Sequence, residues 1–128
     1  MSAPGKIDMT IAQFALAVAV LAAVYGADVL HRRMYADYKD TLLFFYADWC
    51  GHCTRFKPQW ARFQSTAARD LPGLKTLALE SSSGNAAGNL FNVSSYPTLV
   101  YIDPAGRRHN YGGPRTSEGL AAFVSGLR

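Results

Sequence analysis

Between Met9 and Ala27 the chain carries no charged side chain, and no other feature restricts the possible folds as much. The clearly polar side chains in that stretch are Thr10, Gln13 and Tyr25. About nineteen helical residues, rising about 1.5 Å each, come close to the thickness of a bilayer's hydrocarbon core. The apolar character would run all round such a helix, as lipid requires and a surface helix avoids. Residues 9–30 therefore read as one transmembrane helix, with Leu30 extending it at the cost of bringing Asp28 to the interface. Residues 1–8 become an N-terminal tail and residues 31–40 a polar, helical stalk. A cleaved signal peptide is the competing reading. It would have a weak basic start, with Lys6 offset by Asp8, and a poor small-x-small site at Val24-Tyr25-Gly26. Its apolar run would also exceed a typical signal core. His31, Arg32 and Arg33 follow the run directly, whereas only Lys6 and the amino terminus precede it. The positive-inside rule then puts the rest of the chain on the cytosolic side.

The 128 residues leave room for one small domain after this segment. With 49% hydrophobic and 17% charged residues the chain is too apolar to be disordered. The net charge of +4 comes from arginines and lysines scattered over several expected elements, with no basic run alternating with aromatics. That pattern gives no nucleic-acid partner. There are two cysteines, Cys50 and Cys53. A disulfide framework would use more of them, spread along the chain. Zinc wants about four ligands, and two cysteines with three histidines, one of them beside the apolar run, do not make a site. No metal is expected, and the cysteines read as a functional pair.

The domain's elements follow from periodicity. Leu42 to Ala47 is a continuous apolar run, the pattern of a central strand buried on both faces. From Cys50 a helix is expected, because Phe56, Trp60, Phe63 and Ala67 recur at helical spacing, with Pro58 predicted to kink it and Leu71-Pro72-Gly73 to end it. Leu74 to Leu79 reads as a second strand, Asn85 to Phe91 as a short helix and Thr98 to Ile102 as a third strand. Asp103-Pro104-Ala105-Gly106 is a hairpin turn returning through Arg108 to Gly112. Thr116 can cap a last helix with Leu120, Phe123, Val124 and Leu127 on its apolar face. The order βαβαββα gives an α/β fold, a central mixed sheet flanked by helices.

Cys50-Gly51-His52-Cys53 falls where the first strand ends and a helix begins. The thiolate is the form that attacks a disulfide. Unpaired N–H groups and the partial positive charge of a helix start would stabilise a thiolate at Cys50, and a protonated His52 would add to this. Cys53, one turn on, can reach back and resolve a mixed disulfide. Cys50 is thus the candidate nucleophile, open to incoming chains, and Cys53 the resolving thiol. This redox-active pair needs no diffusible cofactor.

The stretch from Phe45 to Cys53 resembles the active-site segment of protein disulfide isomerases, and Lys57-Pro58 resembles the pair that follows it there. Tyr96-Pro97-Thr98 is similar to that family's cis-proline loop. Tyr111, Gly113, Arg115, Glu118 and Leu120 match its closing Y-x-G-x-R-x-x-E-x-L pattern. The resemblance covers residues 41–128 and implies a minimal thioredoxin-like fold, short of an N-terminal strand and helix that the stalk and anchor replace. It also implies roles. Trp49 flanks the dithiol and, with Gly51, Tyr96 and Pro97, meets the substrate. Pro97 is cis and faces Cys50, and the Tyr96 backbone pairs with an extended substrate chain. Arg115 swings inward to lower the resolving thiol's pKa. One departure stands out. The family's central strand holds a buried carboxylate that relays the resolving thiol's proton, and here that position is Phe44. Cys53 should then deprotonate slowly.

Two functions follow. The first is a membrane-bound thiol–disulfide oxidoreductase or isomerase acting on cysteine-containing proteins. Its dithiol suits an oxidising lumen such as the endoplasmic reticulum, against the vote of the His31-Arg32-Arg33 flank. The second is an accessory subunit that uses the fold to dock within a larger membrane complex or virus particle, since a thioredoxin-like fold does not guarantee catalysis.

Overall fold

The computed structural model describes residues 10–128; the tail 1–8 and Met9 lie outside the described residues. The first helix, α1, runs from Ile11 to Met34. Thr10 caps it. Its Oγ1 accepts from the Gln13 N–H at 3.2 Å, and Gln13 Oε1 accepts from the Thr10 N–H at 3.0 Å. At about 1.5 Å per residue the helix is about 36 Å long. None of its residues is buried, and Phe14, Leu16, Leu21 and Val24 stand exposed. By length and composition it can cross a membrane.

The segment expected as a spacer does more than tether. His31, Arg32 and Arg33 form the last turn of α1, where cations meet the negative end of the helix. A 3-10 turn, Ala36–Tyr38, follows. Tyr35 between them is 4% exposed and stacks on Phe91 with ring centroids 4.8 Å apart, while Tyr38 meets the same ring edge-on at 5.2 Å. Their rings supply apolar area to the domain.

Four strands form one sheet: β1 (Thr41–Tyr46), β2 (Lys75–Glu80), β3 (Thr98–Ile102) and β4 (Arg108–Asn110), in the order β2-β1-β3-β4. β1 is parallel to β2 and antiparallel to β3, with Phe44 opposite Ala78 and Leu99. Its alternate residues feed two cores, which is why the run is apolar without a break. Leu42 and Phe44 face α2 (Gly51–Asp70) and α4 (Ser117–Leu127), packing with Phe56, Trp60, Phe63, Leu120 and Val124. Leu43 and Phe45 face the other way, with Tyr35, Phe91, Val100 and Ile102. α3 (Ala86–Leu90) begins at Asn85, whose Oδ1 accepts from the Gly88 N–H at 2.6 Å. The protein is thus a thioredoxin-like α/β fold with a mixed four-stranded sheet and an apolar helix at its N-terminal end.

α2 continues through Pro58 to Asp70 as one element. One expectation is corrected: β4 stops at Asn110 instead of Gly112. The Tyr111 N–H still reaches the Leu99 carbonyl at 2.9 Å, but Gly112-Gly113-Pro114 turns the chain away, the proline having no N–H to continue a ladder. The hairpin turn is as expected. Asp103 Oδ1 accepts from the N–H groups of Ala105 and Arg107, both at 2.9 Å, and Gly106 takes φ +87°, a conformation glycine adopts freely.

Candidate active site

Cys50 is the N-cap of α2, with extended backbone and its Sγ accepting the Cys53 N–H at 3.2 Å. The sulfur occupies the place that a serine or aspartate oxygen takes in ordinary caps. It also lies 3.6 Å from the Tyr96 carbonyl oxygen, to which the thiol S–H can donate. Through that contact the loop before β3 and the start of α2 meet at the sulfur, and the Tyr96–Pro97 peptide bond in that loop is cis. The two cysteines are both free thiols.

Their environments differ. Cys53 is fully buried, packed among Phe44, Phe56 and Trp60, while Cys50 keeps 6% of its surface. That is narrower access than the open sulfur expected from the sequence. Cys50 is held below the ordinary cysteine value. The hydrogen bond from the Cys53 thiol contributes most, opposed by burial and assisted by the backbone N–H groups of Cys53 and His52 and the charge of Arg115. Burial, with the hydrogen bond to Cys50 adding, pushes Cys53 up to about 11. The proton shared by the pair therefore rests on Cys53, and Cys50 is the sulfur that ionises first.

The other expected site residues distribute around this pair. His52 contributes its backbone N–H, while its ring turns to Arg55, with Nδ1 2.9 Å from Arg55 Nη2. Arg115 is exposed and joins His52, Arg55 and Phe56 around a shallow cavity of about 190 Å³ beside the dithiol. Trp49 is 74% exposed and meets Tyr96 edge-on at 5.9 Å, standing at the rim of the site instead of covering it. Gly51 opens α2. A Cβ there would meet the Arg55 guanidinium at 3.6 Å, an ordinary contact, so the backbone does not demand glycine. Phe44 is 1% exposed against Phe56 and Trp60 at 4.9 and 5.3 Å. The one buried carboxylate among the described residues, Asp103, follows β3 at the end where Ile102 pairs with Thr41. That is the opposite end of β1 from Cys50, so Asp103 is no proton acceptor for Cys53.

Sequence reasoning missed Glu80. Its Oε2 accepts the Asp48 N–H at 2.9 Å and its Oε1 the Ser82 N–H at 2.6 Å, so the last residue of β2 fixes the loop that delivers Trp49 and Cys50. Hydrogen bonds from Ser82 and then Asp48 hold its carboxyl below the usual range. The signal available was a carboxylate at the end of a strand, but only the register with β1, Tyr46 against Glu80, assigns it to this loop.

Comparison with known proteins gives the same picture. The pattern of the thioredoxin family matches residues 23–126, starting inside α1. Protein disulfide-isomerase A4 of Bos taurus is 36% identical over 89 residues, 70% of this chain and 14% of that protein. Protein disulfide-isomerase of Zea mays is 31% identical over 101 residues, 79% of this chain and 19% of that protein. The chain thus spans between a seventh and a fifth of the length of these relatives. The solution structure of the first thioredoxin domain of mouse protein disulfide-isomerase A4 superimposes with a TM-score of 0.61 and 34% identity, covering 68% of this chain and 61% of that one.

Proposed function

Because this chain belongs to the thioredoxin family, we propose that it is a membrane-anchored thiol–disulfide oxidoreductase or isomerase, acting on cysteine-containing proteins through Cys50 and Cys53. The observation that carries this reading is the asymmetry of the dithiol. A low-pKa sulfur caps α2 beside the Tyr96 carbonyl, over a buried partner that holds the proton. In the oxidised form a substrate thiolate attacks the Cys50 sulfur, the Cys50–Cys53 bond breaks, and Cys53 leaves as a thiolate and takes up a proton. A second substrate thiolate then attacks the substrate sulfur of the mixed disulfide. A substrate disulfide forms, and Cys50 is released as a thiolate. Two electrons pass from substrate to protein, and the dithiol itself is the only redox group required. In the reduced form Cys50 attacks a misplaced disulfide and Cys53 provides the escape.

Tyr96 and cis Pro97 would present backbone to an extended substrate, and Trp49 and bare Gly51 would flank it. Arg115 would support the Cys50 thiolate from the rim. α1 would be the single membrane span, supported by its length and fully exposed apolar surface. An oxidising lumen suits net oxidation or isomerisation, and the cytosolic side suits reduction. Protease protection of the domain in intact membranes tells the two apart.

Phe44 and the narrow access to Cys50 favour a second reading, an accessory subunit that docks through this fold in a larger membrane or virion assembly. One assay separates them. Detergent-solubilised protein should reduce insulin disulfides with dithiothreitol as electron source, and Cys50→Ser should abolish this. Turnover no higher than that of the Cys50→Ser control would refute the catalytic reading.

A further inference from the structure

A cavity of about 570 Å³ lies away from the dithiol, where α1 meets the domain. Asp28, His31, Arg32 and Tyr35 line it from α1 and the turn after it, and Phe91, Gly106, Arg107 and Arg108 from the domain. The walls are held together. The Gly106 turn presses on α1, since a Cβ there would come within 3.0 Å of the Arg32 carbonyl oxygen. Arg108 Nη1 donates to the Phe91 carbonyl at 2.7 Å, and its guanidinium lies 5.6 Å from the Phe91 ring centre.

The cavity is basic and its charges are not used up. Three arginines and His31 face a single carboxylate, Asp28, whose Oδ2 lies 3.0 Å from Arg32 Nη2. Arg32 Nε is out of reach of solvent and has no hydrogen-bond partner among the described residues. Arg107 is exposed and makes no ion pair among the described residues. A buried guanidinium N–H without an acceptor is costly, and an oxyanion is its natural complement.

The depth of the cavity selects the anion. Asp28 is the first charge after the apolar run, so on the reading of α1 as a membrane span it marks the edge of the hydrocarbon. Residues 28–34 then rise about 9 Å through a headgroup layer of similar thickness. We propose that this cleft binds the phosphate headgroup of an anionic phospholipid from the surrounding leaflet, with Arg32 and Arg107 as the anion ligands and the wall of Tyr35 and Phe91 beside them. The inference rests on the membrane reading of α1. It gives α1 a second task, since a bound lipid would join the last turn of the helix to the β3–β4 hairpin and fix the dithiol's height above the bilayer.

The test titrates the detergent-solubilised full chain with short-chain phosphatidylglycerol and phosphatidylcholine, read by native mass spectrometry. Phosphatidylglycerol should bind in preference. Arg107→Gln should reduce that preference at least about fivefold, because it removes a charge-assisted hydrogen bond to the phosphate that a residue outside the cleft does not make. Arg33→Gln, which removes a charge from the same turn outside the cleft, should leave the preference unchanged. Equal binding of the two lipids, or equal losses in the two variants, would overturn the proposal. So would displacement of phosphatidylglycerol by inorganic phosphate at matching concentration, which would make this a site for the free anion. Flotation with vesicles of phosphatidylcholine alone tests the anchor separately. A chain that floats but shows no anionic preference refutes the cleft alone, whereas one that does not float refutes the membrane reading and the cleft with it.

Discussion

On the catalytic reading, the burial of Cys53 would set the speed of escape from a mixed disulfide, and raising the pH is the cleanest perturbation. With its pKa at about 11 against 9.0 for an ordinary cysteine, Cys53 at pH 7 is ionised in about one molecule in ten thousand instead of about one in a hundred. Part of that hundredfold deficit is recovered, because thiolate nucleophilicity rises with pKa with a Brønsted coefficient of about 0.4–0.5. The net penalty is about tenfold. Once Cys50 is bonded to a substrate sulfur it no longer perturbs Cys53 as a neighbouring thiolate, but burial, the largest cause, remains. The rate of Cys53 attack should therefore climb about tenfold per pH step from 7 and bend only above 9. A fluorescent peptide disulfide-bonded to Cys50 is formed at acid pH and then jumped to pH values from 7 upward. Release of the peptide reports the rate, and Cys53→Ser gives the background. A bend below pH 9, or a rate indifferent to pH, would show that Cys53 is not a buried thiol waiting to ionise.

Phe44→Glu should speed that release at pH 7 and flatten its pH profile, because it puts a proton acceptor into the core beside Cys53. The same change should lower the urea midpoint, through lost packing of about 3 kcal/mol or more, and Phe44→Leu should show a smaller stability loss with no acceleration. Arg115→Gln removes a positive charge that favours both thiolates, so the Cys50 pKa should rise and alkylation by iodoacetamide at pH 7 should slow by up to about fivefold, since the guanidinium is solvent-screened. An unchanged alkylation rate would remove Arg115 from the site. Tyr35→Ala should cost about 3 kcal/mol in urea unfolding of the solubilised chain, whereas Tyr35→Phe, which keeps the stack on Phe91, should cost under about 1. Equal midpoints for Tyr35→Ala and the parent would mean that the segment after α1 is a free spacer after all.

Local physics made much of this protein readable in its sequence. The unbroken apolar run of β1, the helical spacing of Phe56, Trp60 and Phe63, the Asp103–Gly106 turn and the position of Cys50 at a strand-to-helix junction each depend on residues within a few positions of one another. The same holds for the expectation of a membrane helix, which needs only composition and length. What could not be read there depends on residues distant in the chain. Glu80 becomes part of the site because parallel pairing sets it against Tyr46, and Tyr35 becomes core because Phe91 lies across from it. The upward shift of the Cys53 thiol is tertiary as well. Both cysteines belong to one short motif, but the aromatic core encloses Cys53 more completely than Cys50, and desolvation acts on the atom that is enclosed. The sequence by itself determined which chemistry this chain can carry. The packing of α2, Phe44 and the Tyr96–Pro97 loop decided which sulfur is sealed in and which lies at the rim, because burial and electrostatic contact are properties of neighbours in space.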